Sequence, residues 1–240
     1  YDSTINPNYP NTPPWNGWTG HQSIIIAWCG ACFDDNGSVL WLPLGGGHGD
    51  YAGNEPYKID LSENSPTWEM VRPPSGAIGN QIVLDDGQEA TGLYSDGRLR
   101  AVHSYNKPVY VPQIGPVMTV TGGSYSSALG GLKQPAFISP NTGELIQLGA
   151  ENTFTASSGI GHAGCYDSTR HAIWFVPSQG IPITYYDITQ DSWINPGISQ
   201  NVSGYSAIEY IEDYDCIIWF NSLLSNGFAI IDCATNTIHH

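Results

Sequence analysis

One pattern of short strands recurs four times along the chain and restricts the fold more than any other feature. Its clearest copies run from Phe33 to Trp68 and from Tyr166 to Trp193. In each copy, period-two apolar strands alternate with turns rich in Gly, Asn, Asp and Pro, and the last strand ends near a tryptophan. Regular short strands at a repeat length of roughly 40–70 residues are typical of blade-by-blade architectures. The sequence therefore predicts an all-β fold, a β-propeller.

Composition supports this fold and limits the classes of function. Charged residues make up 12% of the chain, which has 28 glycines and 17 prolines. Strands joined by tight turns are favoured over long surface helices. The formal net charge of −15 has the wrong sign for a phosphate backbone or an anionic lipid surface, and no apolar run approaches the ~20 residues of a membrane helix. We expect a soluble protein that neither binds nucleic acid nor inserts into a membrane.

An acidic or amide side chain stands near the end of the third strand in every unit. These residues are Asp60, Asn141, Asp187 and Asp232. Such side chains accept hydrogen bonds from nearby backbone N–H groups. We therefore expect each of them to close the hairpin that leads to the outer strand.

Glycine pairs and aromatic residues give the first two units a more specific signature. Glycine pairs occur at Gly46–Gly47 and Gly122–Gly123, and the first pair is followed by Tyr57 and Trp68. This arrangement resembles the kelch-type repeat of galactose-oxidase-like propellers. The third and fourth units lack the glycine pair and keep the strand rhythm, with Trp193 in the third.

The resemblance implies an architecture rather than an activity. It implies kelch-like four-stranded blades around a central axis. Within each blade, the glycine pair would let a strand end turn tightly, and the tryptophan would pack between neighbouring blades.

The number of units is small for the family that the chain resembles, whose propellers have roughly six or seven blades within the range of about four to eight known for such folds. The chain is therefore a fragment, or its blades are irregular and miscounted, or a small ring is closed by Pro10–Trp18. We favour the fragment. We predict an N-terminal Pro/Trp-rich segment at residues 1–20 and an incomplete or irregular propeller at residues 21–240.

The five cysteines are interpreted from their neighbours in sequence. Cys29 and Cys32 form a C-x-x-C in a strand-like run, without the helix of a redox motif or the second ligand pair of a zinc site. We expect both, and Cys165, to be small buried core residues. Cys216 and Cys233 belong to one predicted hairpin, for which a cross-strand disulfide and two free thiols are both open.

The densest polar stretch is the glycine-rich Gly45–Asn54. It contains His48, Asp50, Tyr51 and Asn54. A glycine-rich loop exposes backbone N–H groups and can present His and Asp to a ligand or metal. The alternative, which the pattern favours, is a structural loop in which Gly supplies positive φ and Asp or Asn caps turns. We retain the four residues as candidate ligand-binding residues.

Three further candidates precede tyrosines at the start of a unit. His103 and His162 stand at matching points, and Arg100 lies close to His103. Both histidines are expected near one mouth of the axial channel, where together with His48 they offer a copper or zinc set. For the histidines we favour a structural role. For Arg98 and Arg100 we favour a salt bridge. We assign no cofactor and leave copper and calcium open.

Motifs of several catalytic classes are missing from the chain. It contains no G-x-S-x-G, H-E-x-x-H, P-loop or dinucleotide-binding glycine pattern. The carboxylate pairs Asp34–Asp35 and Asp85–Asp86 adjoin turn residues, so we expect solvated loop positions rather than a glycosidase pair.

Two classes of function remain. The first is a non-catalytic recognition or structural module that binds glycan or protein and assembles into a larger complex. Aromatic candidates for stacking on sugars are Trp15, Trp18, Trp28, Tyr51 and Tyr125. The second is a secreted enzyme, since copper-radical oxidases resemble the kelch architecture and a glycan hydrolase or lyase is open. Function depends on sites rather than folds, and without a site motif we favour recognition.

Composition also bears on location. Scarce lysine, abundant Asn, Ser, Thr and Tyr, and an acidic surface are typical of extracellular or virion-exposed proteins. Asn36–Ser38 and Asn201–Ser203 match the glycosylation acceptor pattern. We predict an extracellular or virion-surface protein.

Overall fold

In the computed structural model, the chain is described at residues 23–26, 29–44, 51, 53–75, 92–94, 96–106, 108–119, 133–154, 162–176, 182–198, 205–221, 223–224 and 226–240. These residues contain one short helix, α1 (Ser23–Ile26), a 3-10 turn at Glu212–Tyr214, and strands β1 to β16. Within these ranges, no helix is long and apolar enough to cross a membrane. The predicted segment 1–20 lies outside the described residues.

The strands form four antiparallel sheets, each with four strands in chain order. Blade 1 consists of β1 (Cys32–Asp34), β2 (Val39–Leu42), β3 (Tyr57–Asp60) and β4 (Glu69–Met70). Blade 2 consists of β5 (Pro108–Val111), β6 (Gly115–Thr119), β7 (Pro135–Ile138) and β8 (Leu145–Leu148). Blade 3 consists of β9 (Ala163–Asp167), β10 (Ala172–Val176), β11 (Thr184–Asp187) and β12 (Ser192–Ile194). Blade 4 consists of β13 (Ser206–Ile211), β14 (Cys216–Asn221), β15 (Phe228–Asp232) and β16 (Thr237–His239).

Blade 3 shows why these apolar runs form strands. All five residues of β10 are buried because the sheet is covered on both faces. Ile173 and Phe175 pack against blade 2, whereas Trp174 and Val176 pack against blade 4. β-Branched and aromatic side chains suit such a surface, and the period of two sends alternate residues to opposite faces.

Stacking of the blades follows the chain. The first strand of each blade is its inner strand, and β1 packs on β5, β5 on β9, and β9 on β13. Separate apolar clusters lie between blades 2 and 3 and between blades 3 and 4. The fold is therefore a four-blade β-propeller, as the repeat predicts.

The hairpins before the outer strands are closed as predicted in three blades. In each of them a backbone N–H donates to the Oδ1 atom of the predicted aspartate at 2.8 Å. The pairs are Ser62 with Asp60, Gln190 with Asp187, and Thr235 with Asp232. The prediction is wrong for Asn141 in blade 2. There Ser139 Oγ accepts from the N–H groups of Asn141 and Thr142, at 3.3 and 3.2 Å. The capping residue of blade 2 stands two positions earlier than the pattern suggested.

Two of the three thiols predicted to be in the core are buried on inner strands. Cys32 and Cys165 are buried, whereas Cys29 is half-buried ahead of β1. Burial raises the pKa of both buried thiols above its ordinary value. They therefore stay protonated at neutral pH, a state that is a poor nucleophile and a poor metal ligand.

The register of blade 4 decides between the two states left open for Cys216 and Cys233. Both are free thiols. Cys216 lies opposite Asp232 in the β14–β15 ladder, so the adjacent Cys233 directs its side chain to the other face of the sheet. A cross-strand disulfide between them is incompatible with this register.

Candidate functional site

The four inner strands surround a cavity of about 600 Å³ on the propeller axis. Every blade contributes to its lining, with Asp34 from blade 1, Tyr110 from blade 2, Tyr166 from blade 3 and Glu209 from blade 4. Residues far apart in sequence therefore meet around one space. A concave site of this volume with a few convergent polar groups is the usual form of a ligand site.

One end of the cavity is acidic. Asn106 and Ala163 form a parallel bridge, so β5 and β9 run in the same direction, as expected for blades that repeat one strand order. The turns after the inner strands therefore meet at the same end. The acidic residues of the lining are Asp34, Asp35, Glu209 and Glu212. No Lys or Arg is among the described lining residues, so this end favours cations.

Two of these carboxyl groups interact with other groups of the cavity wall. Burial and a hydrogen bond to Asp34 raise the pKa of Tyr110 to about 12, so Tyr110 remains a neutral donor to the carboxylate. Partial desolvation and repulsion by Asp35 raise the pKa of Glu209. Asp35 and Glu209 belong to different blades, so their mutual repulsion arises from the fold, and a bound cation would relieve it.

Aromatic residues lie at the opposite end, where the inner strands begin. The rings of Tyr105, before β5, and Tyr205, before β13, have centroids 5.8 Å apart. Ser104, which precedes Tyr105 in the chain, accepts a hydrogen bond at its Oγ from the Gly30 N–H at 2.7 Å. A Cβ at Gly30 would overlap the Tyr105 carbonyl oxygen, so only glycine fits this junction of blades 1 and 2.

The described candidates from the glycine-rich loop are buried. The Tyr51 hydroxyl donates to Glu55 Oε1 at 2.7 Å. The Asn54 side-chain amide donates to the Leu99 carbonyl at 2.7 Å and to Ser75 Oγ at 2.9 Å. Both side chains have a relative exposure of 0%. These bonds hold Tyr51 and Asn54 in the core, and the role of both residues in ligand binding stays a prediction.

Arg100, like these loop residues, is fully buried. Its Nε–H donates to the Leu93 carbonyl at 3.0 Å, and its guanidinium lies 5.5 Å from the centre of the Tyr94 ring. The salt bridge favoured for these arginines is present at Arg98, which binds both carboxylate oxygens of Glu144 at 2.9 and 2.6 Å.

The histidines contact different aromatic rings. His103 is buried with its ring edge against Tyr105, at 5.8 Å between centroids. His162 is buried against Phe175 at 4.8 Å, next to the core of blades 2 and 3. His48 and Asp50 lie outside the described residues. A shared metal site of the three histidines stays a prediction.

A partly buried ionic cluster, in which Asp167 is fully buried, joins blades 3 and 4. Arg170 Nη1 lies 2.9 Å from Asp167 Oδ2 and 2.5 Å from Asp215 Oδ1, and Arg170 Nη2 lies 2.7 Å from Asp215 Oδ2. Ligand atoms of Asp167, Asp215 and Cys233 lie within 4.8 Å of one another, the spacing of a metal site. The guanidinium already supplies the positive charge there, and its hydrogen bonds lower the pKa of Asp215.

Sequence reasoning missed most of the cavity. It treated Asp34 and Asp35 as loop residues and did not select Tyr110, Tyr166 or Glu209. Their common feature is their position at the end of the first strand of a blade. Aligning the four inner strands at the turn that follows them would have brought these residues together.

Comparisons with known proteins add little to this description. No family model matches the sequence, and no curated protein matches it. Among solved structures, the chain is similar to TolB from Acinetobacter baumannii, with a TM-score of 0.46 and 15% sequence identity. The similarity covers 87% of this chain and 42% of that protein, so the chain spans less than half of TolB.

Burial of Glu55 predicts a pH-dependent stability. Desolvation raises its pKa to about 7 from an ordinary value of 4.5. The folded state therefore disfavours ionisation of Glu55, and the contribution of this residue to stability is greatest below pH 4.5 and is lost as pH rises through about 7. A shift of this size corresponds to about 3 kcal/mol. In denaturant titrations at pH 5 and pH 8, Glu55→Gln should remove most of the pH dependence seen in the wild-type protein.

The matched control for this prediction is Glu63→Gln, at an exposed position in the turn after β3. It should keep the pH profile of the wild-type protein. A Glu55→Gln profile parallel to wild type would show that another group is responsible.

Proposed function

We propose that this propeller is a non-catalytic recognition module and that its axial cavity binds a cationic segment of a partner protein. The observation that carries the proposal is the convergence of four carboxyl groups from blades 1 and 4 at one end of the cavity, without Lys or Arg in the described lining. A lysine or arginine side chain entering there would be drawn to these carboxylates.

Three features support a cation in preference to a neutral ligand. Desolvation and, after it, repulsion from Asp35 raise the pKa of Glu209, and a bound cation would offset the repulsion. The Tyr110 hydroxyl, which donates to Asp34, retains an oxygen that can accept a hydrogen bond from a cationic group. The net charge of −15 would speed the approach of a basic partner at low salt.

The test is calorimetric titration of the whole chain with an oligolysine peptide. We expect binding that weakens as salt is raised. The double variant Asp35→Asn/Glu209→Gln should bind at least about tenfold more weakly. The charge-matched control is Glu63→Gln/Glu151→Gln, which changes exposed residues outside the cavity lining, and it should bind like wild type.

Two outcomes would contradict the proposal. Equal losses in both double variants would show that the peptide responds to overall charge. Binding of a neutral oligosaccharide that is lost in Asp35→Asn/Glu209→Gln, with no peptide binding, would assign the cavity to a glycan.

The kelch-type character of the blades also belongs to this proposal. Trp193 of blade 3 donates its Nε1–H to the Ala150 carbonyl, after β8 of blade 2, at 2.8 Å. Its ring lies 5.5 Å from Tyr186 and 6.4 Å from Phe175, in the cluster between the two blades. This agrees with the packing of tryptophan between blades that the kelch resemblance implies.

An extracellular or virion-surface location, proposed from composition, fits a module that meets its partner outside the cell.

A further inference from the structure

Aromatic rings line the axial cavity together with the carboxylates. Each inner strand supplies one of them, and these residues are Phe33, Tyr110, Tyr166 and Tyr210. A ring carries partial negative charge on its face, so it attracts a cation without a hydrogen bond. The cavity therefore offers a cation two kinds of favourable contact.

The tyrosines contribute ring surface more than free hydroxyl donors. The Tyr166 hydroxyl is hydrogen-bonded to His171 Nδ1 at 2.8 Å, and the Tyr210 hydroxyl donates to Thr169 Oγ1 at 2.7 Å. The Tyr110 hydroxyl donates to a carboxylate of the wall, as described above. Bonds within the protein thus fix these three rings.

Phe33 is the most exposed of the four aromatic residues, at 43%. It lies opposite Leu40 in the β1–β2 ladder, and Leu40 also lines the cavity. Asp34 follows Phe33 on β1 and interacts with Tyr110 of blade 2. Because neighbouring residues of a strand point to opposite faces, the Phe33 ring is directed away from blade 2.

Glu209 lies on the wall that faces this ring. Its neighbours on β13, Ile208 and Tyr210, pack in the cluster between blades 3 and 4. Glu209 therefore points to the other face of β13, where it interacts with Asp35 of blade 1. The cavity is thus bounded by Phe33 and Asp35 on one wall and by a carboxylate on the wall across from it.

A guanidinium suits these two walls better than an ammonium does. It is planar, its N–H edges bind carboxylates in pairs, and its faces stack on aromatic rings. It is also more weakly hydrated, so less is lost when it leaves water. A lysine ammonium is a compact, strongly hydrated charge without a flat face, and it uses the ring less well.

We propose that the axial cavity selects arginine over lysine, with the guanidinium stacked on the Phe33 ring and paired with Asp35 and Glu209. Phe33 is then the residue that determines this specificity. The inference rests on the proposed function, because it names the cationic side chain that the partner protein inserts.

Calorimetric titration of the whole chain with two peptides of equal length and charge tests this selection. The peptides are tetra-arginine and tetralysine, both acetylated and amidated. We expect tetra-arginine to bind about tenfold more tightly. Phe33→Leu removes the ring and keeps every charge, so it should weaken tetra-arginine binding by about five- to tenfold and tetralysine binding by no more than about twofold.

Two control variants separate the ring from general effects of substitution. Phe33→Tyr keeps an aromatic ring and should keep the preference for arginine. Phe154→Leu replaces a phenylalanine that is 40% exposed and lies outside the cavity lining, and it should bind both peptides like wild type. Circular dichroism checks folding, and Phe33→Met replaces Phe33→Leu if the latter does not fold.

The outcomes separate this inference from the proposed function. Equal affinity of the wild-type protein for both peptides would overturn the selection of arginine and leave the proposed function intact, whereas binding of neither peptide would contradict both. An unchanged preference in Phe33→Leu would remove Phe33 from the specificity. Tighter binding of a tetrapeptide of trimethyllysine than of tetra-arginine would assign the ring to a quaternary ammonium instead.

Discussion

Alanine in place of Arg170 is expected to lower the free energy of unfolding by about 3–5 kcal/mol, the usual cost of removing one partner of a buried ion pair. Asp167 is fully buried, and Arg170 binds it together with Asp215 of blade 4. Without the guanidinium, Asp167 would remain as an uncompensated charge between two blades. Denaturant unfolding at neutral pH measures the loss.

Two companion variants separate this effect from loss of any surface ion pair. Arg98→Ala removes a bidentate pair with Glu144 whose members are 26% and 43% exposed, and should cost only about 0.2–1 kcal/mol. Adding Asp167→Asn to Arg170→Ala removes the buried charge and should recover part of the stability. If Arg98→Ala and Arg170→Ala cost the same, the cluster does not hold the blades together in the way its geometry indicates.

Alanine in place of Trp174 is expected to cost about 3–5 kcal/mol. The ring is fully buried in the cluster between blades 3 and 4, 4.7 Å from Tyr185. Its Nε1–H donates to Asp167 Oδ2 at 3.0 Å. The substitution therefore opens a cavity and removes one donor from the buried carboxylate. Thermal or denaturant unfolding provides the measurement.

Trp174→Phe divides this loss into its two parts. It keeps most of the apolar volume and removes the N–H, so it should cost about 1–3 kcal/mol. Tyr214→Ala, at a ring that is 80% exposed, should change stability by no more than about 0.5 kcal/mol. Comparable losses at Trp174 and Tyr214 would contradict the blade packing described above.

The candidate site was far less predictable than the fold. Tyr51 and Asn54 were selected because polar residues among glycines are typical of binding loops, and Arg100 because it stands close to His103. All three are fully buried and hydrogen-bonded within the protein. Sequence patterns report residue type and spacing, and these are the same for a polar group that binds a ligand and for one that ties a loop to the core. Only burial and bonding partners distinguish the two.

By itself, the sequence determined the features that depend on neighbouring residues. Period-two apolar runs specify strands, and Asp60, Asp187 and Asp232 close their hairpins through bonds that span two or three residues. Repetition of that local unit then determines the propeller. Tertiary structure alone decided which ends of the inner strands share a cavity, because Asp35 and Glu209 interact only after four blades have stacked around the axis. It also decided which strand faces line that cavity, since that depends on which sheets pack together and not on the residues within one strand.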